Sequence, residues 1–233
     1  LRASSPYRSA GVGGTTLAGI RMPSMNATSS GPLLQLLSNG LQLWIRSQCD
    51  DVGELKLTLQ GSALQLLRGK LDGVSLTARK VSFQKLPLLR AELKTGALRA
   101  HINPSHPGQP IQLSHPFNID GEVVLSGTDL NRAFASDRWR WLGDLLSEQL
   151  MGLTPLRALS IDDDLLELQA AVIATQDPVR ARFGLQASEG TIEITHLETG
   201  KSFLLPMDPG IHIQHAHLKA GQLILQGKAI VSP

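Results

Sequence analysis

The sequence predicts an α+β fold: a long, strongly curved antiparallel β-sheet wrapped around one or two apolar helices. Three observations predict it. Apolar residues recur at helical spacing in only two long stretches, near residues 33–45 and 130–151. Elsewhere apolar and polar residues alternate in short runs, bounded by Gly, Asp and Ser turns. The order helix, strands, helix, strands excludes an alternating βαβ chain and the cofactor crevice that comes with it.

The first helix begins at Ser30-Gly31-Pro32, where serine is an N-cap and proline suits the first turn. Leu33, Leu34, Leu37, Leu41, Trp44 and Ile45 form its stripe, and Leu36 and Leu43 widen it. A helix so apolar around its circumference requires surroundings on most sides. It ends near Cys49, before a connection at Asp50–Gly53. The period then changes to two. Leu55, Leu57 and Leu59 alternate with Lys56, Thr58 and Gln60, a strand with one buried face. Ser62–Arg68 reads as a short helical turn closed by Gly69.

Val74, Leu76 and Ala78 share one parity, while Val81 and Phe83 share the other, which predicts a bulge near Arg79-Lys80. A second switch follows, from Leu89, Ala91 and Leu93 to Leu98, Ala100 and Ile102, across Gly96. Two adjacent switches predict a bent sheet. His101–Pro116, rich in Pro, His and Asn, is read as a loop. Phe117, Ile119, Gly121, Val123 and Leu125 form another half-buried strand. A helix starts behind Ser126 and Thr128, re-caps at Ser136 and runs to Met151. Three hairpins close the chain as a meander, with turns at 162–164, 188–190 and 219–221.

With 233 residues, 42% of them hydrophobic and 41 of them leucine, the chain is long enough to bury a sizeable core. Residues 1–29 lack periodicity and are expected to be a disordered tail, with residues 30–233 as a single domain. No apolar run reaches about 18 residues, and no signal-peptide core is visible. A cytoplasmic or peripheral-membrane location is therefore the expectation. Net charge is only +2, but residues 56–99 hold nine Lys/Arg against two carboxylates. Such a block either faces anions or protects strand edges from aggregation. With Phe83 its only aromatic, it lacks the stacking residues that nucleic-acid binding needs, and no nucleic-acid partner is expected.

Catalytic motifs are absent. Gly11–Thr16 lacks the lysine and spacing of a phosphate loop, and no Gly-x-Ser-x-Gly elbow occurs. Cys49, alone in the chain, sits at a helix end that buries it. His215 and His217 share a face of a regular strand and His212 does not, so no metal site is expected there. Asp162–Asp164 lacks the spaced oxygen ligands of a calcium loop. The expectation is a protein that is not an enzyme and needs no cofactor or metal.

Three stretches resemble a known bacterial family: Leu41–Ile102, with Leu64–Val74 at its centre; Gly121–Asn131; and the closing hairpin, Ile211–Val231. The family, long catalogued as a domain of unknown function, is that of the LmeA-like phospholipid-binding proteins. The resemblance implies a fold similar to the tubular lipid-binding (TULIP) superfamily, with an apolar groove between sheet and helix, and no catalytic residue. It implies a phospholipid or other acyl lipid as partner, at or near a membrane surface. The groove candidates from the chain's own pattern are Leu41, Trp44, Phe83, Leu89, Phe134, Trp141 and Leu145. Arg68, Lys70, Arg79 and Lys80 are the candidates for holding an anionic headgroup. Trp139 and Trp141 cannot both face one side of a helix, so one is a candidate interface anchor. The alternative is a structural or interaction module that docks on a membrane or protein complex without bound lipid.

Overall fold

The computed structural model describes residues 32–102, 111–113, 115–172 and 177–232. The chain runs α1 (Pro32–Ser47), β1 (Asp51–Gln60), α2 (Ala63–Leu67), β2 (Lys70–Leu71), β3 (Gly73–Phe83), β4 (Leu86–Thr95) and β5 (Leu98–Ile102). It continues through β6 (Ile111–Leu113), β7 (Phe117–Ser126), α3 (Gly127–Ala135), α4 (Arg140–Met151), β8 (Leu156–Asp162) and β9 (Leu165–Ala170). Then come β10 (Val179–Ser188), β11 (Thr191–His196), β12 (Ser202–Leu204), β13 (Ile211–Lys219) and β14 (Gln222–Val231). The expected tail at 1–29, the Ser30 cap and residues 103–110 of the expected loop lie outside the described residues.

The fold is α+β, with a large antiparallel sheet and few helices among the described residues. Its strands divide among three sheets: six strands in the order β1-β3-β4-β7-β14-β13, five in the order β12-β11-β10-β9-β8, and three in the order β2-β5-β6. The three closing hairpins do not form one meander. The first two extend through β12 into the five-stranded sheet, while β13–β14 joins β7 in the six-stranded one. Two of these hairpins turn on two residues with positive φ, Glu189-Gly190 and Ala220-Gly221, the conformation that matches strand twist.

Local signals explain most element ends. The Ser62 side chain accepts from the Gln65 amide while the Gln65 side chain accepts from that of Ser62, a reciprocal cap that starts α2. Ser126 Oγ accepts from the Asp129 amide at 3.1 Å and starts α3. Ser136 ends α3 rather than starting α4: its hydroxyl donates to the Ala133 carbonyl, and Trp139 stands at the N-terminus of α4. Asp50–Gly53 is largely strand, not connection, because Asp51 pairs with Ser82. The expected loop at 101–116 likewise carries the end of β5 and all of β6.

The two parity switches have different causes. At the first there is no inserted residue: register with β1 and β4 is the same on both sides of Lys80. Lys80 instead takes a φ of 51°, which turns the strand over so that Ala78 and Val81 are both buried. Gly53 of β1 lies alongside, where a Cβ would come 2.9 Å from the Arg79 carbonyl oxygen. The second switch is a strand break. β4 ends at Thr95, and β5 leaves to pair with β2 and β6.

All the longer helices cover one face of the six-stranded sheet. Leu34 and Leu41 of α1 pack on Leu57 and Leu59 of β1, and Ile45 and Cys49 reach the cluster of Leu55, Ala78, Val81 and Ala91. The opposite side of α1 is open: Leu36 is 71% exposed and Leu43 69%, so the helix is not surrounded as its composition predicts. α3 and α4 cover the other half of that face and pack on the five-stranded sheet. The largest cluster lies there, around Leu146, Leu150, Leu168 and Phe183.

The sheet's other face is polar. Arg90 pairs with Glu122, Gln226 donates to the second Glu122 oxygen at 2.7 Å, and Lys228 lies 3.7 Å from Asp120. The Gln226 hydrogen bond and then the Arg90 charge hold the Glu122 carboxyl below its ordinary value of 4.5, against the opposing effect of burial. A depressed carboxylate stabilises the fold above its unfolded pKa and loses that contribution as pH falls through the folded value. Urea midpoints measured at falling pH should therefore drop more steeply below about pH 4.5 in the parent than in Glu122→Gln. Parallel curves would contradict this linkage.

Candidate functional site

Between α3, α4 and the helix-covered face of the six-stranded sheet lies an apolar cavity of about 360 Å³. Its floor is built by register. Val123 of β7 stands between Ala91 of β4 and Leu225 of β14, and Leu125 is opposite Leu223. Residues paired across strands share a face, so alternate positions on three strands line one surface. Leu86, Leu88 and Leu93 extend it along β4, and Ile211 and Ile213 along β13. Leu130, Phe134, Trp139 and Leu142 form the opposite wall, with Ile192, Leu205 and Met207 at one side.

Two glycines let neighbouring groups approach closely in the middle of this floor. Gly121 and Gly227 face each other across β7 and β14, and both line the cavity. A Cβ on Gly121 would meet Leu93 Cδ2 at 2.5 Å, and one on Gly227 would collide with the His212 carbonyl oxygen. The second conflict arises because β13 is bulged between Ile213 and His215, bringing its backbone close. Among the lining residues Lys228 alone carries a charge, and its amine pairs with Asp120 on the polar face. The walls therefore offer apolar area without a directional polar partner, suited to a flexible hydrocarbon rather than to a polar substrate.

One end of the cavity is tied to the turn between β3 and β4. The Trp139 indole N–H donates to the Gln84 carbonyl at 2.8 Å, and Arg138 donates to the Gln84 side chain at 2.8 Å. The same turn is held from α1's exit: the Lys85 amide donates to Asp50 Oδ2 at 2.7 Å, and its amine lies 3.1 Å from Asp50 Oδ1. Gln84 and Lys85 both have positive φ without being Gly or Asn, a strained choice that these contacts hold in place.

Of the seven groove candidates, Phe134 lines the cavity. Leu41 is buried between α1 and β1, and Leu145 is half-buried on α4. Trp44, Phe83 and Trp141 are exposed, by 39%, 46% and 58%. Leu89 lies on the opposite sheet face, with Arg79, Lys80 and Arg90, in a recess of about 430 Å³ that Val124 and Ile224 also line, so its walls are mixed. Arg68 and Lys70 are exposed around α2, away from Arg79 and Lys80. The floor residues Val123 and Leu125 were legible as half-buried strand positions and Leu223 and Leu225 as part of the closing hairpin, but nothing local distinguished a cavity floor from ordinary core. An in-strand glycine such as Gly121 was the available signal, since it marks close approach or missing volume.

The residues considered for other chemistry offer little. The bulge at Gln214 puts His212 in register with Lys228, as His215 is with Gln226 and His217 with Ile224. All three thus take polar-face positions, a correction to the regular-strand reading, yet no metal-holding group of three ligands occurs among the described residues. Burial and then the Asp50 charge push the Cys49 thiol above its ordinary value, and its Sγ donates to the Ile45 carbonyl at 3.4 Å. That is the reverse of an activated nucleophile.

A family model described as LmeA-like phospholipid-binding matches residues 28–228. The chain belongs to this family. The match embraces both sheets that border the cavity, and it agrees with the resemblance carried by Leu64–Val74, Gly121–Asn131 and Ile211–Val231. Searches of the curated proteins and of the solved structures return no match. No helix of the described LmeA-like chain is long and apolar enough to cross a membrane.

Proposed function

We propose that this protein binds, and transfers between membrane surfaces, a phospholipid or related acyl lipid, holding a hydrocarbon chain in the cavity floored by Val123 and Leu225. It acts without catalysis, as a TULIP-like module whose sheet and helices enclose the chain. The observation that carries this reading is the cavity itself: a leucine-rich space whose one charged lining residue, Lys228, is paired with Asp120, left open inside a member of a phospholipid-binding family.

The volume favours one chain. A methylene is close in size to a water molecule, about 30 Å³, so roughly twelve fit. At about 0.8 kcal/mol each they contribute roughly ten kcal/mol before the costs of ordering and immobilisation. The headgroup stays outside, because no unpaired polar group waits within. Organic extracts of the purified protein should contain phospholipid or fatty acid by mass spectrometry, and a fluorescent fatty acid should bind at one site and be displaced by phospholipid. The alternative, a lipid-free docking module, draws on the exposed leucines of α1 and α2. A clean extract together with no probe uptake would favour it and end the cargo reading.

A further inference from the structure

The exposed aromatic side chains among the described residues, Trp44, Phe83 and Trp141, all lie at one end of the molecule. Hydrogen bonds establish this. Phe83 precedes Gln84, whose carbonyl binds Trp139, two residues before Trp141. On the other side the Asp50 amide donates to the Ser82 carbonyl at 2.8 Å, six residues beyond Trp44. The exit of α1, the β3–β4 turn and the α3–α4 corner therefore meet at one place, which is also the Trp139 end of the cavity.

Charge there is unbalanced. Arg46, Arg79, Lys80, Lys85, Arg138 and Arg140 are within about four residues of these contacts, and all are largely exposed. The carboxylates nearby are Asp50, Asp51, Glu54 and Asp137, four against six cations, and Asp50 is engaged with Lys85 and Asp137 with Arg140, while Glu54 stands opposite Arg79 in register. Amphipathic aromatic rings beside cations match the interfacial zone of a bilayer, where tryptophan rings settle at headgroup level and each cation adds attraction to anionic lipid.

We propose that this end docks on the surface of an anionic bilayer, with the exposed aromatics seated among the headgroups and the Trp139 end of the cavity turned toward the lipid. The orientation rests on the reading of the cavity as an acyl-chain site; the docking does not. The Gln84 contacts keep the docking turn and the cavity wall in one rigid arrangement, so a chain leaving the bilayer meets the cavity directly.

The test is flotation of the full chain with vesicles of phosphatidylcholine alone or mixed equally with phosphatidylglycerol. The protein should float with the anionic vesicles and be released by salt. Phe83→Ser with Trp141→Ser should weaken binding at least about tenfold, and Arg79→Gln and Lys80→Gln roughly fivefold each. None of these four substitutions touches the cavity lining, so uptake of a fluorescent fatty acid without vesicles should be unchanged and reports folding as well. Equal flotation with both vesicle types, or a Phe83/Trp141 variant that floats like the parent, overturns the proposal. So does loss of flotation in Leu36→Ser with Leu67→Ser alone, which would place docking on the open leucine faces of α1 and α2. Flotation as expected with no fatty-acid uptake in the parent supports the docking and overturns the cavity reading instead.

Discussion

A tryptophan at position 225 should abolish most acyl-chain binding while leaving the fold intact. Leu225 is half-buried on β14, flanked in register by Val123 and Ala216, and its side chain forms the middle of the cavity floor. An indole there occupies space otherwise open to about four methylenes of ligand, worth roughly 3 kcal/mol, or on the order of a hundredfold in affinity. The ring enters existing space, so it avoids the overpacking cost of a filled core. Ile224→Trp is the control. Ile224 is the next residue on the same strand, paired with His217 and Val124 on the opposite face, and its replacement should leave affinity near the parent's. Titration with a fluorescent fatty acid, alongside thermal melts of both variants, checks the expectation. An unimpaired Leu225→Trp with a normal melt would mean that hydrocarbon does not lie on this floor.

Phe183→Ala should cost about 3–5 kcal/mol of stability, the range for truncating a large buried aromatic. Phe183 is fully buried at the middle of the five-stranded sheet, opposite Leu166 on β9 and His196 on β11. Its ring meets the His196 ring edge-on, with centroids 5.0 Å apart and planes at 74°. Truncation leaves a void that neighbouring strands, held by register on both sides, cannot close. At about 2–4 °C per kcal/mol for a chain of this size, the melting temperature should fall by roughly 6–20 °C. Because Phe183 is not in the cavity lining, variant protein that remains folded at low temperature should still take up the fatty acid. A melting shift of a degree or two would show that this sheet contributes little to the cooperative unit.

These two residues also show how unequally the structure was legible. Phe183 and Leu225 sit in strands that period-two patterning located almost to the residue, and both hairpins were visible from their turns. Patterning could not separate them further, because alternation reports that one face is buried and not what it is buried against. The aromatic candidates illustrate the opposite failure. Trp44, Phe83 and Trp141 were chosen as large apolar side chains suited to a groove, yet their Cα positions fall where α1, the β3–β4 turn and α4 turn outward. The basic candidates Arg79 and Lys80 have a different cause: the left-handed Lys80 inside β3 sends the strand's parity over and leaves them on the polar side.

Sequence alone determined the local pieces of this protein: the short helical turn closed by Gly69, the capped start of α3, and the strands with their turns. Each depends on contacts between residues a few positions apart, so each leaves a periodic or capping signature. Only the tertiary structure decided that β14 lies beside β7, where Gln226 reaches Glu122 across 104 positions, and that β13–β14 leaves the neighbouring hairpins for another sheet. The cavity is a product of that decision. Pairing between distant strands is chosen by the summed burial and hydrogen bonding of whole faces, and no short stretch of chain carries a record of it.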